Sequence, residues 1–231
     1  MRMRKRNGML INLMLLLLIA ALYCITSRPD AVTAMAVLSG APRYRGHAEG
    51  RIALQFAVSW NAAAVEEILN TLSEKGTKVT FAVSGEWAKG NKALLCRMAQ
   101  EGHELAVMGN DPLKDGSTAF LVKDIRCALD AVEEAAGIRP KIYYSGTRDI
   151  ANSARAARKL ALTHVLATKD LRCASGGAGA ILSRALDAPN AGNILLLQPT
   201  AAAAESLPEL IDGLQKKGLE AVPTGSVLGL E

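Results

Sequence analysis

The sequence predicts an α/β protein built on a parallel sheet. Short apolar runs alternate with longer segments whose apolar residues recur every three or four positions. Regular alternation of strand and helix is typical of parallel strands joined by crossover helices. Residues 37–231 are enough for one sizeable hydrophobic core, and this length favours one domain over two.

Seven strands are predicted. The first is Ile52–Val58, and the second, Lys78–Val83, is rich in β-branched and aromatic residues. The other five are Glu104–Met108, Lys141–Tyr144, His164–Thr168, Asn193–Leu197 and Leu219–Val222.

Amphipathic helices are predicted between these strands. Asn61 is expected to cap the first helix, and Gly76 to end it. Periodicity alone leaves open whether the sheet is an open doubly wound sheet or a barrel. The other helices are predicted at 91–100, 120–136, 151–162, 178–186 and 204–217.

The N-terminus has the pattern of a targeting segment. A cluster of arginine and lysine at residues 2–6 precedes an apolar run at residues 9–25. The run spans about 25 Å as a helix, at the lower limit for a membrane span. We therefore predict a signal anchor or signal peptide at 1–26, a linker at 27–50 and one domain at 51–231. An uncleaved anchor is favoured, and cleavage near Ala34-Met35-Ala36 is the alternative.

The charge distribution fits an extracytoplasmic domain. The formal net charge is +5, from 27 basic and 22 acidic residues, and much of the excess lies before residue 36. Basic residues before a membrane segment favour a cytoplasmic N-terminus with the domain outside the cytoplasm. Since no basic face is clustered and only 4% of residues are aromatic, a nucleic-acid partner is rejected.

A series of ordered segments runs from Arg51 to Leu230. They are I-A-L-x-F…S-W (52–60), K-V-T-F-A-V-S-G-E-W-A (78–88), E-G-H-E-L (101–105), I-R-P-K-I (138–142), L-A-L-T-H-V-L (160–166), N-I-L-L-L (193–197) and S-L-P-E-L-I-D-G-L-Q-K-K-G (206–218). In this order the segments resemble the polysaccharide deacetylase family (the NodB-homology domain). The resemblance is strongest to the branch from spore-forming bacteria, which carries S-W after its first motif.

The resemblance implies a fold and a chemistry. The fold is a distorted seven-stranded (β/α) barrel, and the activity is metal-dependent hydrolysis of N-acetyl groups on a glycan. In that family one carboxylate and two imidazoles hold zinc or another divalent metal, a second carboxylate is the base, and a histidine protonates the leaving amine.

At the positions that the resemblance assigns to this chemistry, the chain carries other side chains. Ala57 occupies the position of the catalytic base, and Val58 occupies that of the metal-binding aspartate. Met108 and Pro112 occupy the positions of the two ligand histidines. Gln198 stands for the leaving-group histidine. Alkyl groups cannot ligate zinc, and glutamine cannot shuttle a proton near neutral pH. We therefore predict no catalytic residue, no metal ligand and no cofactor.

Four further residues complete the predicted degenerate site as a ligand pocket. Trp60 and Tyr144 fall near the carboxyl ends of the predicted strands, an edge that we call the rim, and could stack on sugar rings. Asp111 is interpreted as a turn former, although it could approach the rim. Asp170 keeps the family's aspartate, either as a relic or as a hydrogen-bonding group.

The histidines and cysteines offer no replacement site in the sequence. Structural or surface roles are favoured for His47, His103 and His164. Cysteines outside the apolar run lack C-x-x-C spacing, so a zinc knuckle is not predicted. Whether Cys96, Cys127 and Cys173 form a disulfide is left open.

Three functions remain for such a chain. The first is a membrane-anchored, catalytically inactive deacetylase-like protein that binds cell-wall glycan or an extracytoplasmic protein partner. The second is an active N-deacetylase with a rearranged site that recruits Asp111 or Asp170. The third is a purely structural assembly role without saccharide binding.

Overall fold

The computed structural model describes residues 12–21, 23 and 40–230. The chain divides into two compact units, Met1–Leu38 and Ser39–Glu231. In the first unit, residues 12–21 and 23 are helical. Among the described residues, no helix has the length and apolar character that a membrane span requires. The rest of the predicted anchor and the cleavage site at 34–36 lie outside the described residues.

The second unit alternates strands and helices in the predicted order. Two short helices and one short strand were not predicted, namely α2, α8 and β6. The elements are β1 (Arg51–Val58), α1 (Ala62–Glu74), β2 (Thr80–Val83), α2 (Gly85–Gly90), α3 (Lys92–Gln100), β3 (Glu104–Val107), α4 (Thr118–Ala136), β4 (Ile142–Tyr144), α5 (Ile150–Lys159), β5 (Thr163–Val165), β6 (Lys169–Asp170), α6 (Ala178–Leu186), β7 (Ile194–Leu197), α7 (Ala201–Lys216), β8 (Glu220–Val222) and α8 (Thr224–Leu228).

The eight strands form one parallel sheet that curls into a half-barrel. Seven strands lie on one path in the order β5-β4-β3-β2-β1-β7-β6, and β8 pairs with the beginning of β1. All strand pairs are parallel, so the predicted α/β class with a curled parallel sheet is confirmed. The path leaves β5 and β6 as its two ends, and these strands do not pair with each other.

Alternation along β1 divides its side chains between two apolar clusters. Leu54, Phe56 and Val58 belong to the larger cluster, which also contains the buried faces of the helices. Ala53 and Ala57 belong to a smaller cluster on the concave face of the sheet. Successive side chains of a strand point to opposite faces, so only the second set faces the interior of the half-barrel.

The segment 40–47, within the predicted linker, lies along the seam between β5 and β7. Arg43 forms a parallel bridge with Val165, and Arg45 forms an antiparallel bridge with Asn193. The Arg43 guanidinium also donates to the Leu228 carbonyl over 3.0 Å. We call residues 40–47 the seam segment. It bridges the end strand β5 and the residue that precedes β7.

A buried polar network lies where β1, β2 and β3 meet the C-terminal helix α8. The Thr80 hydroxyl and the Gly225 amide donate to Oε2 of Glu104, over 2.5 and 2.9 Å. The Thr224 hydroxyl donates to Oε1 of Gln55 over 3.2 Å. Burial raises the pKa of the Glu104 carboxyl despite these hydrogen bonds. The network fixes α8 at the amino-terminal ends of the strands.

Candidate functional site

Ala57 and Val58, the two positions of the first motif, lie on opposite faces of β1. Ala57 is 8% exposed and belongs to the concave cluster, whereas Val58 is fully buried in the cluster under the helices. The Val58 carbonyl also accepts a hydrogen bond from the Ser84 amide, which holds this end of the strand in the sheet. Only Ala57 therefore presents its side chain toward the concave face.

Met108 follows β3 and reaches the same face as Ala57. It is 8% exposed and belongs to the concave cluster together with Ala57 and Tyr144. The predicted partner of Met108, Pro112, lies four residues further on in an exposed turn. The thioether and the alanine methyl thus form an apolar floor at the carboxyl ends of the strands.

The loop after β3 is held by a buried ion pair. Arg148 Nη2 lies 2.7 Å from Asp124 Oδ2, and both side chains are at most 8% exposed. The Asp124 carboxylate also accepts from the amides of Asn110 and Asp111, each over 3.1 Å. A Cβ on Gly109 would lie 2.2 Å from Asp124 Oδ2, so the loop needs glycine where it crosses this pair.

Asp111 is a turn former, as the sequence predicts. Its Oδ1 accepts from the Leu113 amide over 3.2 Å, and its Oδ2 lies 3.0 Å from Lys114 Nζ. The hydrogen bond with Lys114 is the main reason that the pKa of the Asp111 carboxyl lies below its usual value. Its carboxylate is therefore occupied within its own loop.

Tyr144 ends β4 and closes the apolar floor on that side. It is 8% exposed, and its hydroxyl makes no hydrogen bond with any described residue. Burial, with a smaller contribution from the charge of Asp170, raises the pKa of Tyr144 to about 12. Tyr144 ends β4 and Asp170 ends β6, so both residues lie at the carboxyl ends of parallel strands, on the same edge of the sheet.

Asp170 and Gln198 form the polar side of the rim. Gln198 Nε2 donates to Asp170 Oδ1 over 3.1 Å, and Gln198 Oε1 accepts from the Cys173 amide over 2.9 Å. Asp170 Oδ1 also accepts from the Arg172 amide over 2.8 Å. Both ends of the Gln198 amide are thus used to hold the loop that follows β6.

Trp60 lies beyond the end of β1, with 47% of its surface exposed. The next residue, Asn61, adopts a left-handed backbone conformation with φ of 54° and donates to the Pro199 carbonyl over 3.0 Å. That hydrogen bond ties the β1 loop to the β7 loop, next to Gln198. Trp60 therefore lies on the same edge of the sheet as the predicted site and is about half exposed.

Two of the three histidines are buried away from the concave face. His164 donates from Nδ1 to the Gly40 carbonyl and accepts at Nε2 from the Ser145 hydroxyl, over 3.2 and 2.8 Å. His103 accepts at Nδ1 from the Val79 amide over 3.3 Å. Burial lowers the pKa of each to about 4, so both are neutral near pH 7.

The donors at the predicted site do not fit a divalent metal. Ala57, Val58 and Pro112 provide no side-chain donor atom, and the Met108 sulfur is a poor zinc ligand. Within residues 12–21, 23 and 40–230, no three His, Cys, Asp or Glu side chains are grouped so that they could hold a metal ion. Asp170 would be a single carboxylate there, whereas zinc sites use three or four protein ligands.

The three cysteines of the second unit form no disulfide. Cys96, Cys127 and Cys173 are free thiols.

The sequence analysis did not single out Asp124 and Arg148, which position the loop after β3. A buried aspartate in the otherwise apolar face of helix α4 was the available signal.

Comparisons with known proteins agree with this geometry. The family model described as polysaccharide deacetylase matches residues 45–165. A curated relative, the uncharacterized protein YlxY of Bacillus subtilis (strain 168), is 26% identical over 182 residues, which cover 77% of this chain and 57% of the relative. The chain thus spans little more than half the length of that relative.

Solved structures of low identity share the fold. Wild-type BA3943 of Bacillus anthracis, described as a CE4 family pseudoenzyme, superimposes with a TM-score of 0.77 at 21% identity, covering 82% of this chain and 69% of that one. The Bc1960 peptidoglycan N-acetylglucosamine deacetylase gives 0.74 at 20% identity, covering 80% and 92%. With its concave rim, its half-barrel and a family match over more than half its length, the chain belongs to the polysaccharide deacetylase family.

Proposed function

We propose that this chain is a catalytically inactive polysaccharide deacetylase-like protein that binds cell-wall glycan or a component of the spore envelope. The observation that carries the proposal is the rim itself. Where the family resemblance assigns a base, metal ligands and an acid, the chain places the methyl of Ala57, the thioether of Met108 and the amide of Gln198. The sheet that would position such groups is intact.

The surroundings of these residues support a loss of catalysis. The Ala57 and Met108 side chains are integrated in an apolar cluster, where a carboxylate or imidazole would have to displace packed groups. Gln198 is tied to Asp170 and to the Cys173 amide. An amide in that position hydrogen-bonds but does not transfer a proton near pH 7.

Relatives of similar fold support a glycan ligand outside the cytoplasm. BA3943 is described as a pseudoenzyme, and a mutant of it as having restored enzymatic activity. Bc1960 is described as acting on peptidoglycan N-acetylglucosamine. The S-W pair at Ser59 and Trp60, typical of the branch from spore-forming bacteria, supports a role in sporulation.

We also propose that the N-terminal segment anchors the chain in the membrane, with the N-terminus cytoplasmic and the domain outside. In the described part of this segment, residues 13–19 are leucine, methionine and isoleucine, each 52–70% exposed. Basic residues precede them. Secretion after cleavage is the alternative localisation.

Zinc content tests the inactive assignment. We expect the full chain, purified in detergent and dialysed against zinc, to retain far less than one zinc per chain by elemental analysis. An active deacetylase of the same family, treated in parallel, shows that the procedure preserves a real site. A stoichiometric, tightly bound zinc in this chain would contradict the proposal.

An active deacetylase with a rearranged site is the second candidate, and one observation favours it. The Asp170 carboxylate is exposed at the rim, and only its Oδ1 accepts hydrogen bonds from the described residues, so its Oδ2 is open to a bound substrate. Asp111 does not serve this candidate, because its carboxylate is bound to Lys114 and the turn. Acetate release from N-acetylated oligosaccharides that disappears in Asp170→Ala would support this function, and no release with any divalent metal would dispose of it.

A further inference from the structure

The rim carries one carboxylate without a cationic partner. Among the described residues, no lysine, arginine or histidine nitrogen lies within 4.0 Å of the Asp170 carboxylate. Arg172, two residues further on, contributes its backbone amide and not its guanidinium. Asp170 Oδ1 accepts two hydrogen bonds, whereas Oδ2 accepts none from these residues. One oxygen of an exposed carboxylate therefore remains available to a ligand.

The positive charge of the same loop is engaged elsewhere. The Arg184 guanidinium donates to the carbonyls of Leu171, Arg172 and Ser175, and its charge opposes that of Asp170 at the Cys173 thiol, whose pKa is raised mainly by burial. An apolar floor at the same edge of the sheet consists of the Ala57 methyl, the Met108 thioether and the Tyr144 phenol, all in one cluster. Burial, with a smaller contribution from Asp170, raises the pKa of the phenol to about 12, so the phenol is a neutral hydrogen-bond donor.

Gln198 holds this carboxylate in position. Its amide nitrogen donates to Asp170 Oδ1 and its amide oxygen accepts from the Cys173 backbone. Arg184 of helix α6 also holds this loop, because its Nε donates to the Leu171 carbonyl over 2.7 Å. The carboxylate is therefore presented by a loop that is already ordered, which lowers the entropic cost of binding.

An exposed carboxylate with one open oxygen suits a cationic ligand better than a neutral one. A carboxylate and an ammonium group form charge-assisted hydrogen bonds, which are stronger than those to a neutral amide. The N-acetyl group of an acetylated sugar is neutral and adds a methyl group. The amine of a deacetylated glucosamine residue is protonated at mildly acidic pH and carries three donors.

We propose that the rim recognises deacetylated glycan, with a glucosamine ammonium paired to Oδ2 of Asp170, in preference to the N-acetylated form. This inference rests on the proposed glycan-binding function and reverses the ligand preference that the family resemblance implies. The buried Tyr144, whose hydroxyl makes no hydrogen bond with any described residue, ends β4 on the same edge of the sheet. Gln198 is a positioning residue, since it acts through Asp170.

The test compares two oligosaccharides of equal length with the full chain in detergent. Calorimetry at mildly acidic pH and low salt would measure binding of oligomers of glucosamine and of N-acetylglucosamine. We expect the glucosamine oligomer to bind about three- to tenfold more tightly, because an exposed ion pair contributes little more than ~1 kcal/mol. The preference should vanish in Asp170→Asn.

Asp187→Asn is the matched control. It removes the same charge from a side chain that is 81% exposed and pairs with Lys169, the first residue of β6, and it should keep the preference. Circular dichroism confirms that both variants remain folded.

Equal or tighter binding of the N-acetylated oligomer would overturn this inference and leave the glycan-binding proposal standing. Binding of neither oligomer would overturn both. A preference that survives in Asp170→Asn would show that Asp170 is not the recognition group.

Discussion

Two buried imidazoles make the folded chain sensitive to acid. His103 and His164 are 4% and 2% exposed, and burial lowers the pKa of each from 6.5 to about 4. The unfolded chain therefore binds more protons than the folded chain between pH 4 and 6.5. Their contribution to stability is complete above pH 6.5 and is lost as the pH falls toward 4.

We predict that the thermal midpoint of unfolding decreases as the pH is lowered through this window. Each histidine accounts for at most about 3 kcal/mol of the loss. His164→Gln should flatten the dependence, whereas His47→Gln, in the exposed part of residues 40–50, should leave it unchanged. Identical pH profiles for wild type and His164→Gln would refute the assignment.

The contribution of Glu104 to stability depends on pH in the opposite direction to that of the histidines. Burial raises its pKa above 4.5, so the folded chain binds the extra proton, and the contribution of Glu104 is lost as the pH rises through its folded pKa. We predict that Glu104→Gln becomes more favourable relative to wild type as the pH increases from acidic to neutral. Denaturant titrations at both pH values measure the change.

Glu220→Gln is the control for Glu104→Gln. Glu220 is exposed at the start of β8, so its substitution should give the same small difference at each pH. A Glu104→Gln effect that does not vary with pH would contradict a buried, titrating carboxyl.

At the scale of single elements, the Asp124–Arg148 pair links helix α4 to the loops after β3 and β4. Asp124→Ala leaves the Arg148 guanidinium buried without its charge partner, and we predict a loss of about 3–5 kcal/mol in the free energy of unfolding. Chemical denaturation measures it. Glu134→Ala breaks the exposed Lys92–Glu134 pair and should cost far less, because solvent screens an exposed ion pair. Equal costs for the two substitutions would mean that the buried pair is not what holds the loop.

The seam segment fits the half-barrel without free space. A Cβ on Gly46 would lie 1.9 Å from the Val227 carbonyl oxygen, so Gly46→Ala should displace the segment and cost about 1–3 kcal/mol. Gly179 in α6 has nothing within 4 Å of its Cβ position, and Gly179→Ala should be neutral or stabilise by up to ~1 kcal/mol. Melting curves of the two variants give the comparison, and an unchanged Gly46→Ala midpoint would argue against a tightly packed seam.

The sequence predicts the long elements well and the short ones poorly. Helices such as α1 and α4 have apolar residues at helical spacing over three or more turns, so their pattern is unambiguous. The missed elements α2, α8 and β6 span six, five and two residues, too few to show a period. The seam segment is held by backbone bridges and close glycine contacts, which leave no apolar pattern.

The sequence predicts which residues belong to the site, but it does not predict how their side chains are arranged. The motif order identifies Ala57, Met108 and Gln198 as rim positions, and the predicted turn at Asp111 is observed. Val58 faces the helices because successive side chains of a strand point to opposite faces. This holds only if β1 continues through Val58, and the sequence alone does not fix where the strand ends. The contact between Gln198 and the Cys173 amide joins residues 25 positions apart, and no local pattern reports it.

At the scale of the whole molecule, a half-barrel of family geometry is combined with a rim of different chemistry. The helical layer and the strand bodies preserve a continuous core, while the changes concentrate at the carboxyl ends of the strands. In enzymes built on parallel strands and crossover helices, that edge carries the reacting groups. Retention of the core with altered side chains at the rim is the observation on which the proposed binding function rests.

Acetate release is the most direct measurement of this account. The full chain would be incubated with N-acetylated peptidoglycan fragments and chitin oligomers in the presence of zinc, cobalt or manganese, next to an active deacetylase of the family. We predict no acetate above the protein-free background with any of these metals. Metal-dependent acetate release that a chelator stops would contradict the central claim that the rim has lost its catalytic chemistry.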